Sequence, residues 1–110
     1  EKKVRDLDFT VVSAEDISEE LKSHIDERKE ETFTLIYRDG ENMYLIVGYG
    51  SQEGGGYSIR VNDLYLGTNA VYADVDLLGP EAGEDITELP TTPYIVLKIQ
   101  KREESVVFCM

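Results

Sequence analysis

Three consecutive segments between residues 43 and 61 constrain the fold more than any other part of the sequence. Residues 43–50 form a dense apolar run whose β-branched, aromatic and aliphatic side chains occupy both faces of an extended chain. Residues 57–61 then alternate in polarity and place three side chains on one face, Tyr57, Ile59 and Val61. Because the glycine-rich residues 51–56 lie between the two runs, the pattern predicts paired strands that form a central β-hairpin.

A polarity period of two residues also occurs elsewhere in the chain and predicts further strands. The segments concerned are residues 7–12, 32–37, 70–78, 94–101 and 105–109. Asp39 and Gly40 supply the backbone conformations that a tight hairpin turn requires. Asn62 and Asp63 are expected to break the strand that follows the glycine-rich segment.

One helix is predicted after the first strand. Ser13 is a good N-cap, and Glu15 and Asp16 lie in the first turn, where the helix dipole favours negative charge. Apolar residues then recur at spacings of three and four, at Ala14, Ile17, Leu21 and Ile25. The sequence therefore predicts a mainly β fold with one helix (α+β), an antiparallel β-sandwich or partly open barrel with the helix packed on a face.

The length of 110 residues suits one domain that folds without a disulfide or a metal ion. Residues 1–6 are charged and are predicted to be a loose N-terminal segment, and residues 7–110 are predicted to be a single β-rich domain. Residues 79–93 are the longest stretch without periodicity. Loops of this length tend to be functional or mobile.

The charge of the chain disfavours two classes of partner. Lys and Arg total 11 against 23 acidic residues, which gives a net charge of −12 that repels nucleic acids and anionic lipid headgroups. The longest apolar runs are far shorter than the roughly 20 residues that span a bilayer. We therefore expect no nucleic-acid partner and no direct membrane insertion of this domain.

No arrangement typical of an enzyme stands out. His24 is the sole histidine, Ser51 does not fit a nucleophile elbow because residue 49 is tyrosine, and Cys109 is the only cysteine. The glycines are not followed by the Gly-Lys-Ser/Thr motif of a phosphate loop. Asp74, Asp76 and the carboxylates of residues 81–88 fit a solvated acidic surface, with weak calcium binding as the alternative. We predict no catalytic residues, no metal site and no cofactor.

Four short motifs, read in order, resemble one known family. They are residues 44–47, residues 54–59 (Gly-Gly-Gly-Tyr-Ser-Ile), residues 91–94 (Thr-Thr-Pro-Tyr) and residues 106–108. Over roughly residues 30–109 the chain resembles the PrcB C-terminal domain, named for a non-catalytic subunit of a bacterial surface protease complex. The resemblance implies an extracytoplasmic accessory domain, in the cell envelope or secreted, that stabilises or modulates a protease or another envelope complex.

Two segments are the candidate partner-binding surface, because tyrosine combined with glycine and threonine is typical of adaptable recognition surfaces. The candidate residues are Tyr49, Gln52, Glu53, Gly54, Gly55, Gly56, Tyr57, Thr91, Thr92, Pro93 and Tyr94. The alternative to an accessory domain is a protease inhibitor of the β-sandwich type, which would insert these loops into an active-site cleft. The alternative for the glycines is a purely structural turn, and for the tyrosines a packing role at strand ends.

Overall fold

The computed structural model describes residues 2–83 and 88–110. Within them the chain forms eight strands, one turn of 3-10 helix and one α-helix. In chain order the elements are β1 (Lys3–Asp6), β2 (Thr10–Val11), the 3-10 turn (Ala14–Asp16), α1 (Glu19–Asp26), β3 (Thr32–Asp39), β4 (Asn42–Tyr49), β5 (Ser58–Gly67), β6 (Val71–Leu78), β7 (Tyr94–Gln100) and β8 (Val106–Cys109).

The strands form two four-stranded sheets stacked as a sandwich. The outer sheet has the order β1-β5-β6-β8, and the middle sheet has the order β2-β7-β4-β3. All neighbouring strands are antiparallel except β6 and β8, which are parallel. The predicted mainly β fold with one helix is therefore confirmed, and of the two predicted architectures the structure has the sandwich, since the sheets do not close into a barrel.

The middle sheet is apolar on both faces. One face packs against the outer sheet around Met43, Leu45, Leu97 and Leu64. Ile46 and Val96 point to the opposite face, where they contact α1. The molecule therefore has three layers, and β4 and β7 are the strands that carry apolar side chains to both interfaces.

The helix lies on the middle sheet, as its apolar stripe predicts. Leu21 and Ile25 are buried against Ile46 and Val96. The predicted start was wrong, however, because the segment after Ser13 forms the 3-10 turn and α1 begins at Glu19. Ser18 is the N-cap, and its hydroxyl accepts a hydrogen bond from the backbone N–H of Leu21 at 3.2 Å.

The predicted central hairpin is wrong. β4 pairs with β3 and β7 in the middle sheet, whereas β5 pairs with β1 and β6 in the outer sheet. Residues 50–57 therefore cross from one sheet to the other. The hairpin that does involve β4 is the one predicted at Asp39 and Gly40, where Asp39 pairs with Asn42 and Gly40 has φ +62°.

Two further expectations differ from the structure. Lys3–Asp6 is not loose but forms the edge strand β1, with all four residues exposed and paired to β5 through the backbone. Asn62 and Asp63 do not end a strand, because β5 continues to Gly67 with a bulge between Val61 and Asp63. Of the aperiodic segment 79–93, residues 84–87 lie outside the described residues.

Candidate functional site: two joined loops

The glycine-rich segment is the crossover between the two sheets. Gly50 (φ +78°) and Gly56 (φ +83°) adopt backbone conformations that side chains disfavour, so glycine is required at both ends of the crossover. Gly54 and Gly55 have no positive φ, although Gly54 is buried. The structural role expected for these glycines therefore applies to Gly56 and to Gly50.

A two-stranded bridge joins this crossover to the second candidate segment. The backbone N–H of Gln52 donates to the carbonyl oxygen of Thr91 at 2.8 Å, and the N–H of Thr91 donates back to Gln52 at 3.1 Å. The Thr91 hydroxyl also donates to the carbonyl oxygen of Gly54 at 2.6 Å. We call residues 49–57 together with residues 91–94 the joined loops. The two segments that the sequence singled out are thus in direct contact.

The three candidate tyrosines are packing residues at least in part. The hydroxyl of Tyr49 donates to the carbonyl oxygen of Val75 at 3.3 Å, and burial, followed by the nearby Asp76 and Asp74 carboxylates, raises its pKa. Tyr94 packs against the core beneath α1. Tyr57 is half-buried beside Gly79. Their aromatic rings anchor the joined loops more than they present a free surface.

The exposed part of the joined loops is Ser51, Glu53 and Gly56. One neighbour that sequence reasoning missed is Leu89, which lies two residues before Thr91 and is 75% exposed. An apolar residue next to Pro90 in an aperiodic segment was the available signal. Exposed leucine beside a polar loop adds apolar area that a protein partner can bury.

The side chain of Gln52 is held by a hydrogen bond even though the residue lies in a loop. Its side-chain amide donates to the carbonyl oxygen of Tyr49 at 3.0 Å, in addition to the backbone bridge with Thr91. Glu53 is exposed, and no hydrogen bond or ion pair holds its carboxylate among the described residues. A substitution at Glu53 therefore changes the surface without disturbing the loop, whereas a substitution at Gln52 changes the surface and also disturbs the loop.

The acidic pair on β6 is hydrogen-bonded by side chains of β5. Asp76 accepts hydrogen bonds from Asn62 at 2.9 Å and from Arg60 at 3.0 Å, and these contacts lower the pKa of its carboxyl group. Asn62 also donates to Asp74 at 3.3 Å. Within residues 2–83 and 88–110, no group of three or more His, Cys, Asp or Glu side chains is arranged to hold a metal ion.

A metal-chelating agent is expected to leave the melting temperature of the domain unchanged, because the Asp74 and Asp76 carboxylates are held by Asn62 and Arg60. Thermal unfolding with and without EDTA measures this. Added calcium serves as the reverse control, since a bound ion would raise the melting temperature. A clear drop in EDTA would mean that the acidic residues hold a cation.

The histidine, the cysteine and Ser51 lie in three different parts of the fold. His24 is on α1, where its ring faces Tyr37 with centroids 6.3 Å apart. Cys109 is exposed at the end of β8 in the outer sheet, on the other side of the sandwich from α1. Ser51 is in the crossover. None of these side chains forms a nucleophile–base pair with another within the described chain.

Comparison with known proteins gives one match. The family described as PrcB C-terminal matches residues 43–100, which is more than half of the chain and extends from β4 through β7. No curated protein and no solved structure matches. The matched region includes both segments of the joined loops and the two strands that carry the apolar core to both interfaces. Three of the four short motifs lie within the matched region, and residues 106–108 lie outside it. The resemblance is thereby confirmed over residues 43–100, and this chain belongs to the PrcB C-terminal family.

Proposed function

We propose that this protein is a non-catalytic accessory domain that binds a protein partner, and that the joined loops form the contact surface. The observation that supports the proposal is the bridge between Gln52 and Thr91, which holds two segments nearly 40 residues apart as one unit. Loops fixed in this way lose little conformational freedom when a partner binds, which favours affinity.

The proposed contact residues comprise both segments of the joined loops. They are Tyr49, Gln52, Glu53, Gly54, Gly55, Gly56, Tyr57, Thr91, Thr92, Pro93 and Tyr94. Exposed Glu53 and Leu89 would supply a charged and an apolar contact, respectively. Because the domain carries a net charge of −12, a partner surface with a basic patch would be attracted to it at long range.

The family suggests the class of partner and the cellular location. PrcB is an accessory component of a bacterial protease complex, so the proposed partner is a protease or another subunit of an envelope-associated complex, which the domain would stabilise or modulate. The proposed location is extracytoplasmic, in the cell envelope or secreted. Among the described residues, no helix has the length and apolar content needed to cross a bilayer.

Glu53→Arg is expected to weaken capture of the native complex at least about tenfold, because it reverses a charge at the centre of the proposed contact. The free energy of unfolding should change by less than about 0.5 kcal/mol, since Glu53 is exposed. The measurement is retention of the complex from detergent-solubilised native envelopes on immobilised domain, with the captured subunits identified by mass spectrometry.

The matched control for this experiment is Glu41→Arg. Glu41 is exposed in the β3–β4 turn, at the opposite end of β4 from Tyr49, and the substitution makes the same change in charge. It should retain the complex as the wild type does. Equal retention by both variants, with both folded, would exclude Glu53 from the contact and leave the exposed segment around Leu89 as the remaining surface.

A second candidate function is protease inhibition by the same loops. The favouring observation is that the hydroxyl of Thr91 and the bridge at Gln52 fix the conformation of the crossover, as expected of a loop that binds in an active-site cleft. Titration of the captured protease with the isolated domain separates the two functions. An inhibitor would abolish peptide hydrolysis at equimolar domain, whereas an accessory domain would leave it intact or raise it.

A further inference from the structure

A stretch of sheet edge lies open where β2 ends beside β7. The two-residue strand β2 pairs Thr10 with Lys98 and Val11 with Leu97. One further bond follows, from the N–H of Val12 to the carbonyl oxygen of Val96 at 2.9 Å. The chain then turns away into the 3-10 turn, so the first residues of β7 continue past the end of β2 without a neighbouring strand on that side.

The register of β7 shows which backbone groups face this opening. The N–H of Tyr49 donates to the carbonyl oxygen of Pro93 at 3.1 Å, so Pro93 points toward β4. In an antiparallel ladder, successive residues point to opposite sides, which directs the N–H and C=O of Thr92 and Tyr94 away from β4. Val96 points the same way but already lies opposite Val12, whereas within residues 2–83 and 88–110 the backbone groups of Thr92 and Tyr94 have no hydrogen-bond partner.

The opening is a groove with apolar walls. It has a volume of about 320 Å³ and is lined by, among others, Val11, Ala14, Ile17, Thr92 and Ile95. Val11 is 55% exposed at its rim. An extended segment placed here would alternate its side chains between the face of Ile95 and the face of Ile17, as a strand on a sheet edge does.

The charge around the groove selects the occupant. Residues 10–17, which include its β2 and 3-10 walls, contain two acidic residues and no Lys, Arg or His. Glu15 and Asp16 follow Ala14 directly and are exposed. An occupant with basic residues at its ends would be attracted, and an acidic segment would be repelled.

We propose that this groove is a strand-addition site, in which an extended segment of a partner protein pairs with Tyr94 and Thr92 as a continuation of β2. The segment carries alternating apolar residues flanked by Lys or Arg. Backbone hydrogen bonds provide affinity in this mode of recognition, and alternate side chains provide specificity. The inference rests on the proposed function, since it assigns the partner a binding segment, but it concerns the groove along residues 92–94 rather than the exposed Glu53 of the joined loops.

Selection from a random dodecapeptide library against the immobilised domain tests the proposal. Recovered peptides should contain the alternating apolar pattern with basic flanks. Ala14→Trp fills the groove by a substitution at an exposed position, and Glu15→Lys reverses a charge at its rim. Each variant should lower the affinity for the best peptide at least about tenfold. Glu103→Lys, the same charge change at an exposed site between β7 and β8, is the matched control and should bind as the wild type does.

Amide hydrogen exchange locates the peptide. In the free domain the amides of Tyr94 and Thr92 should exchange quickly, whereas those of Ile95 and Leu97, which point toward β4, should be protected. The bound peptide should slow exchange at Tyr94 and Thr92 by at least about 100-fold. N-methylation of the peptide residue that pairs with Tyr94 should abolish this effect.

Two outcomes overturn the proposal: selection that yields no peptide sensitive to Ala14→Trp, or a bound peptide that leaves exchange at Tyr94 and Thr92 unchanged. Neither result removes the proposed function, which is tested by Glu53→Arg and complex capture. A third outcome concerns both proposals. If the Glu53→Arg variant still captures the complex and still binds the groove peptide, the contact with the partner is at the groove and not at Glu53.

Discussion

Replacing Leu21 by alanine is expected to lower the free energy of unfolding by about 2 to 4 kcal/mol. Leu21 is 1% exposed and packs with Ile25 against Ile46 and Val96 of the middle sheet. Truncation leaves a cavity between α1 and the sheet that a short helix of eight residues cannot fill without losing its other contacts. Equilibrium denaturation in urea measures the loss.

Lys22→Ala is the control, because Lys22 is the next residue of α1 and is exposed. It should change stability by less than about 0.5 kcal/mol, since alanine is as good a helix former as lysine. If Leu21→Ala were as mild as Lys22→Ala, α1 would be a peripheral element, and the third layer of the fold would contribute little to stability.

The packing of α1 was predictable because a helix has a period that its sequence displays. Ile17, Leu21 and Ile25 recur at a spacing of four and are all at least half-buried. Its first residue was not predictable in the same way. Ser13 and Ser18 are both followed by acidic residues, so both have the signature of an N-cap, and only the packing of Leu21 on the sheet selects Ser18.

The erroneous hairpin has a physical cause. Local rules join two adjacent strands across a glycine-rich turn, yet β4 is apolar on both faces and β5 is apolar on one. A strand with two buried faces must lie in a layer that is covered on both sides, as β4 and β7 do at the centre of the middle sheet. The continuous apolar run Ile95, Val96 and Leu97 in β7 was the signal that these two strands are neighbours.

The edge strand β1 gave no signal of this kind. All four residues of Lys3–Asp6 are exposed, so no alternation marks the segment. Pairing comes from the backbone of β5, with Lys3 bridging Asp63 at 3.0 Å on the neighbouring strand. A contact made mainly through main-chain groups leaves little trace in side-chain pattern.

The candidate site shows the same limit. Tyrosine, glycine and threonine indicated both segments of the joined loops, but the bridge between Gln52 and Thr91 consists of backbone hydrogen bonds. No side-chain pattern predicts it. The tyrosines drew attention by their chemistry, and their burial could not be anticipated, because a tyrosine ring suits a strand end and a binding surface equally well.

Replacing Gly50 by alanine is the second large effect expected, a loss of about 2 to 4 kcal/mol in the free energy of unfolding. Gly50 is buried where the chain leaves β4, with φ +78°. A Cβ atom there would lie 3.1 Å from the backbone nitrogen of Thr32 and 3.2 Å from the carbonyl carbon of Glu31. Both neighbours are backbone atoms that cannot rotate away, so the left-handed conformation and the close contact add.

Gly40→Ala separates these two contributions. Gly40 has φ +62° in the β3–β4 turn, but no atom lies within 4 Å of the Cβ position, so only the conformational cost of about 1 to 2 kcal/mol applies. Urea denaturation of both variants and the wild type should therefore give a clearly lower free energy of unfolding for Gly50→Ala than for Gly40→Ala. Equal losses would show that the backbone at Glu31 and Thr32 shifts to make room for the added Cβ atom. The joined loops would then be less rigid than their contact with a partner requires.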